Sequence, residues 1–130
     1  MKIKWKEIYS VDEPSIDSDH KKLFQILEDI SNCGYEDREE KMLEMFDQLA
    51  EYSRFHFSRE ENYMKSIRFP NLEVHKLEHM FFIEEVLKLK EKSKNFVLLN
   101  NTLDFLKEWI ITHILGSDKE YQKHKTESNI

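Results

Sequence analysis

Apolar residues recur along the chain at intervals of three and four, in four separate series, the period of helices that each bury one face. Leu23, Phe24, Ile26, Leu27 and Ile30 form the first series, which Asp17 or Ser18 is expected to cap and Gly34 to stop. The second runs from about residue 38 to 65 and carries Met42, Met45, Phe46, Leu49, Ser53, His56, Glu60 and Tyr63 or Met64 behind a solvated stretch of charges, Arg38 to Lys41. A third, from about residue 72 to 92, turns Leu72, His75, His79, Phe82, Ile83, Val86 and Leu87 inward and ends among lysines, which suit a helix C-terminus. The fourth, from about residue 95 to 115, carries Val97, Leu98, Leu103, Phe105, Leu106, Trp109, Ile110, His113 and Ile114 until Gly116 interrupts it. Residues 1–16 lack this period and read as an arm ending near Pro14. Residues 119–130 read as a polar tail expected to fray, with room for one helical turn around Tyr121. Helices of similar length on short connections predict an all-α, antiparallel up-down-up-down four-helix bundle with an N-terminal arm, as one domain over 1–130 whose bundle occupies 17–118.

Composition supports a single helical core. With 130 residues, 39% of them hydrophobic, the chain can bury one ordinary core, and two glycines and two prolines are few turn-formers for a sheet protein. A formal charge of -6 and the lack of a basic stripe argue against nucleic acid as a partner. No run of about 18 apolar residues exists to span a bilayer. The opening Met1 to Glu7 has no apolar core of a secretory signal, and the single cysteine, Cys33, cannot form an internal disulfide. A soluble cytoplasmic protein is the expectation; the sequence leaves the oligomeric state open, a monomer being compatible with it since no large apolar patch is evident that would force a dimer. Cys33 is expected as a small buried residue near a helix end, Trp5 as a plug on the bundle flank and His124 as a solvated residue.

Five of the six histidines change this picture, because they fall in order with two carboxylates: His20, His56 and Glu60, His75 and His79, His113 and Asp118. In an antiparallel bundle the starts of odd helices and the ends of even ones share one end, so all seven are expected in one layer of the core. His56 and Glu60, like His75 and His79, stand four apart and about 40° from eclipsed, so each pair projects into one region. Asp118 is five residues after His113, about 140° away on an ideal helix. A distortion is therefore expected at residues 115–118, with Gly116 loosening or ending the helix so that the carboxylate swings inward. Asp17 and Asp19 could support His20 from outside, although N-capping explains at least one of them. The two halves echo each other: 36 residues separate His20 from His56, and 34 separate His79 from His113.

Imidazoles and carboxylates without clustered thiols suit iron, manganese or zinc. If Glu60 and Asp118 each bridge two ions, the seven side chains fill nine coordination positions and a bridging oxide or hydroxide two more. Two octahedral ions then keep one position open, the natural seat of a small ligand. A pair of ferrous ions can deliver two electrons to dioxygen, which zinc cannot.

These residues resemble the hemerythrin family, within it the stand-alone bacterial members. The resemblance rests on Trp5, the run from Ile16 through His20 to Phe24, the block from His56 to Glu61, the His75/His79 pair, and His113 with Asp118. It implies that His75, His79 and His113 hold one iron, that His20 and His56 hold the other, and that Glu60 and Asp118 bridge them. The cofactor implied is two iron ions with a bridging oxide or hydroxide. Dioxygen would bind reversibly at the open iron for carriage, storage or sensing, in an apolar pocket whose matching residues here are Leu23, Phe57, Trp109, Ile110 and Ile114. Nitric oxide or other small ligands could take the same position. The competing readings are a di-iron oxidase or a peroxide- or nitric-oxide-consuming enzyme, and a sensing module read by a partner protein. Oxygen-activating bundles carry paired Glu-x-x-His motifs, and this chain has none.

Overall fold

The computed structural model describes residues 3–32, 38–92 and 96–128. Cys33 and Gly34, and with them the expected buried thiol and glycine stop, lie outside the described residues. Four long helices, α1 (Pro14–Ser31), α2 (Arg38–Ser66), α3 (Leu72–Leu87) and α5 (Phe96–His113), form a four-helix bundle with no strand among the described residues. Short elements complete it: a 3₁₀ turn at Glu7–Tyr9, α4 (Leu89–Lys92), one turn of π-helix at Ile114–Asp118, and α6 (Lys119–Ser128). Within the bundle α1 packs along α2 and α5, and α2 along α3.

The first helix is capped at Glu13, four or five residues before the expected cap at Asp17 or Ser18. Glu13 is extended and Pro14 takes the first helical turn, where its fixed φ fits and its missing N–H costs nothing. Asp17 is thus freed from capping. Its carboxylate accepts the Ser10 hydroxyl at 2.6 Å and the Val11 N–H at 2.9 Å, pinning the arm instead. Farther along the arm, Trp5 packs against Tyr9 and Phe24. Glu28 accepts the Ile3 N–H at 3.0 Å and meets Lys107 Nζ at 2.8 Å. Lys107 is 1% exposed, so a helical lysine outside the apolar series is buried against a carboxylate.

α2 ends in a tight reversal. The Phe69 N–H reaches back to the Met64 carbonyl and the Arg68 N–H to Lys65, the pairing of a Schellman cap, with Arg68 in the left-handed region at φ 57°. Such a position ordinarily takes glycine.

Two apolar clusters result. The larger includes Leu23, Leu27, Phe46, Leu49, Phe57, Phe82, Leu99, Leu103, Leu106, Ile110 and Ile114; the smaller joins Val11, Ile16, Met64, Ile67, Phe69 and Tyr121. On α1 His20 lies between Ile16 and Leu23, and on α2 Glu60 lies between Phe57 and Met64. The polar layer is therefore sealed by apolar packing on both sides.

Three expectations change. Leu87, Val97, Leu98 and Phe105 face outward, because Val86 on α3 and Leu99, Thr102, Leu103, Leu106 and Ile110 on α5 take the inner stripe. With Val74, Leu77, Met80 and Phe81 they leave α3 and α5 more apolar outside than the sequence suggests, and the Phe81 and Phe105 rings meet at 6.3 Å. The tail is not frayed over its described length. In α6 Tyr121 is fully buried, and His124 packs against Phe69 with Nε2 2.8 Å from the Ile67 carbonyl.

Candidate metal centre

All seven side chains singled out by the sequence meet in one buried layer, each less than a tenth exposed. His20 comes from the second turn of α1 and His56 and Glu60 from late α2. His75 and His79 open α3, His113 is the last residue of α5, and Asp118 ends the π-helical turn. The four-residue pairs converge as their spacing requires. Asp118 converges for a different reason: the helix widens by one residue, with the Lys119 N–H reaching Ile114 five positions back. The expected distortion is present, but as a continuous wide turn with no break. Gly116 has nothing within 4 Å of where a Cβ would stand and no positive φ, so neither clearance nor backbone freedom demands glycine there.

The two carboxylates divide their oxygens between two sets of histidines. Glu60 Oε1 lies 2.9 Å from His79 Nε2 and 3.3 Å from His75 Nε2, while its Oε2 lies 3.3 Å from both His20 and His56 Nε2. Asp118 Oδ1 lies 2.8 Å from His75 and 3.1 Å from His113, and its Oδ2 3.2 Å from His20. Glu60, His75, His79, His113 and Asp118 form one group able to hold a cation, and His20, His56 and Glu60 form a second.

Three observations fit metal ions at these positions. His113 Nε2 stands 3.0 Å from His75 Nε2 and 3.2 Å from His79 Nε2. Nitrogens about 3 Å apart match the edges of an octahedron with bonds of about 2.1 Å. His56 Nε2, Glu60 Oε1 and both Asp118 oxygens are buried without an aligned hydrogen bond, so their lone pairs point at shared positions rather than at each other. Finally, the field favours positive charge. Burial alone would lower the histidines, but the close approach of Asp118 and Glu60 outweighs it and raises His20 and His75 to about 9 and His113 to about 10. Conversely, burial pushes Glu60 and Asp118 up, yet the surrounding imidazoles hold both well below the usual carboxylate range. A field that favours a proton on His20, His75 and His113 also favours a cation among them.

Around this layer stand carboxylates that sequence reasoning missed or misplaced. Asp19 supports His56 rather than His20: its Oδ2 lies 3.1 Å from His56 Nδ1, with the Tyr52 hydroxyl and Arg59 as further donors. Burial raises Asp19, but these donors lower it overall, and its field with burial pushes Tyr52 up to about 12. Glu61 lies 2.7 Å from His79 Nδ1, and Glu78 2.7 Å from His113 Nδ1. Because an ionised carboxylate only accepts, each of these Nδ1 atoms carries the proton and leaves Nε2 free to face the centre. The Tyr121 hydroxyl donates to Glu60 Oε2 at 3.1 Å, and burial with the nearby carboxylates raises Tyr121 well above its usual value. Glu61 adjoins Glu60 and Glu78 adjoins His79 in sequence, but their partners come from other helices, so helical spacing offers no signal for them.

The five residues expected to line a ligand pocket are all packed near this layer. Leu23, Phe57, Ile110 and Ile114 belong to the larger core, and Trp109 packs against it. Phe57 stacks on His79 at 3.9 Å and 8°, and Trp109 on His113 at 4.6 Å and 9°. A cavity of about 320 Å³ between α2 and α3 reaches His79 and is lined by Phe57, Met80, Ile83, Arg54, Glu61 and Glu84. Of the five, only Phe57 borders it.

Comparison with known proteins agrees with this geometry. Residues 13–124 match the family model described as the hemerythrin HHE cation binding domain. The chain is 38% identical to a bacteriohemerythrin of Clostridium acetobutylicum over 124 residues, covering 90% of this chain and 96% of that protein. It is 29% identical to a myohemerythrin of Theromyzon tessulatum over 118 residues, or 91% and 89% of the two chains. A hemerythrin-like protein of Naegleria gruberi is 25% identical over the same coverage, 91% and 89%.

Proposed function

The chain belongs to the hemerythrin family, and on that footing we propose that it is a non-haem di-iron protein that binds dioxygen reversibly, for carriage, storage or sensing, and is not an enzyme. His75, His79 and His113 would hold one iron, His20 and His56 the other, and Glu60 and Asp118 would serve both. The observation that carries this reading is the way Glu60 and Asp118 each present one oxygen to the three-histidine set and the other toward the two-histidine set. When bound, the irons would supply the electrons and the binding position for the small ligand, which this reading assigns to the iron held by His20 and His56.

The protein's own residues supply the surroundings. Asp19, Glu61 and Glu78 orient His56, His79 and His113 through Nδ1, and Tyr121 holds Glu60 by its second oxygen. Leu23, Phe57, Ile110 and Ile114 are each at most 5% exposed and, with Trp109, form the apolar wall that keeps water from the ligand. Five imidazoles and two carboxylates favour binding over oxygenation, since high-valent iron demands more anionic ligands.

The test is anaerobic loading with ferrous iron, addition of air, and removal of oxygen, followed by the visible spectrum. Two irons per chain and a band that appears in air and disappears on deoxygenation support carriage. Irreversible oxidation with peroxide release or substrate turnover would favour an oxidase.

A further inference from the structure

One side chain outside the seven joins two parts of the centre. Glu78, on α3, accepts the His113 Nδ1 proton at 2.7 Å and the Ser117 hydroxyl at 2.6 Å on the same oxygen, Oε2. His113 is the residue just before the π-helical turn, and Ser117 lies within it, next to Asp118. We propose that Glu78 is a positioning residue that clamps the π-helical turn to α3, and thereby sets the orientation of His113 and the inward position of Asp118 together. The proposal rests on the metal-centre reading given above, and assigns to one outer carboxylate the geometry of two of its ligands.

A π turn gives up α-helical packing for a wider ring and needs a compensating interaction. Gly116 does not supply it, having ordinary backbone angles and open space around it. Beyond the turn, Tyr121 binds Glu60 and Lys119 reaches the Ser10 carbonyl, so these two fasten α6. Asp118, at the end of the turn, also meets His75 Nε2 at 2.8 Å and His20 Nε2 at 3.2 Å. Glu78 is the side chain outside the seven whose described bonds reach both the turn and the residue leading into it. Glu61 differs: it meets His79 Nδ1, and none of the described bonds joins it to a residue of the turn. The side chain of Glu78 is 38% exposed, so replacing it removes the clamp without opening the core.

The experiment compares the full chain with its Glu78→Ala, Glu78→Gln, Ser117→Ala and Glu61→Ala variants. Amide hydrogen exchange is read at residues 114–119 in the metal-free protein, and the His113 Nδ1–H resonance in the diamagnetic zinc-loaded form. Ferrous-iron release to a chelator is followed anaerobically. Glu78→Ala is expected to speed exchange across the turn, abolish the protected His113 Nδ1–H resonance, and weaken iron retention by about 10–100-fold. Ser117→Ala should speed exchange in the turn but keep that resonance. Glu61→Ala should leave exchange in the turn unchanged. Glu78→Gln retains an acceptor without charge, so it should keep the slow exchange while shifting the resonance, and this decides the matter if the alanine variant does not fold. Wild-type exchange across the turn in Glu78→Ala, or an unchanged His113 resonance in both Glu78 variants, would overturn the clamp. Fewer than two irons in the wild-type chain would instead overturn the di-iron reading, while the metal-free exchange comparison still tests Glu78.

Discussion

His113 Nε2 and Asp118 Oδ1 lie 3.1 Å apart although five residues separate them in sequence. On an ideal α-helix that step would turn the carboxylate about 140° away. The π-helical turn at Ile114–Asp118 restores the alignment by adding one residue to the ring, and the helical path then continues into α6. The relationship also corrects the role that the sequence suggests for Gly116.

Replacing Gly116 with alanine should therefore be tolerated. The new methyl group meets open space, and removal of the glycine's extra freedom in the unfolded chain should stabilise the protein by about 0.5–1 kcal/mol. Thermal unfolding and metal content check this together. A lower Tm with lost metal would mean that the turn depends on glycine after all.

Glu60→Ala and His20→Ala should separate the two halves of the site. Glu60 faces both histidine sets, so its loss is expected to reduce bound iron toward zero per chain, whereas His20→Ala leaves the three-histidine set intact and should retain about one. Circular dichroism should show helicity preserved in both. Two irons per chain in either variant would contradict the ligand assignment.

Arg68→Gly should raise stability. Arg68 closes α2 at φ 57°, a region where a side chain costs about 1 kcal/mol relative to glycine, and its N–H bond to Lys65 survives the change. The gain is expected to be about 0.5–1 kcal/mol in denaturant midpoints at an unchanged m-value.

The Glu28–Lys107 pair makes stability depend on acid. Burial pulls Glu28 upward, but the Lys107 ammonium and the Ile3 N–H outweigh it and hold the carboxyl below its ordinary value. The folded protein thus binds this proton less readily than the unfolded chain. The pair's contribution is complete above the ordinary glutamate value of 4.5 and is lost as pH falls below it through the folded value. Lys107→Met should cost about 1–3 kcal/mol at pH 7 and flatten this part of the acid unfolding profile. An equally steep profile in the variant would remove Glu28 as its source.

Much of the bundle could be read before any coordinates, because apolar residues at three- and four-residue spacing have to share a buried face. Leu23, Leu27, Phe46, Leu49, Leu103 and Ile110 all take such places. Where the apolar series is broad, its phase is ambiguous: the series takes in Leu98 and Phe105 beside Leu106 and passes over Leu99, and packing against the neighbouring helices turns Leu98 and Phe105 outward and Leu99 inward. The same holds for Lys107, whose burial depends on Glu28 from another helix, and for Tyr121, which is held by Glu60.

The seven centre residues are legible as an ordered set, because any one histidine on a helix is commonplace whereas five with two carboxylates at these spacings carry metal-binding chemistry together. Composition and local period also required helices, and helices with these polar residues near their ends had to bring them together. Glu61, Glu78 and Ser117 are not legible, and Asp19 is legible as a support but not in its partner, since an acid or serine on a helix looks the same whether it meets water or the Nδ1 of a histidine. Only when α3 lies beside the end of α5 does Glu78 reach both His113 and Ser117. Local sequence sets the period and the donor atoms. Contacts between helices distant in the chain set which proton each imidazole keeps and whether the turn before Asp118 widens.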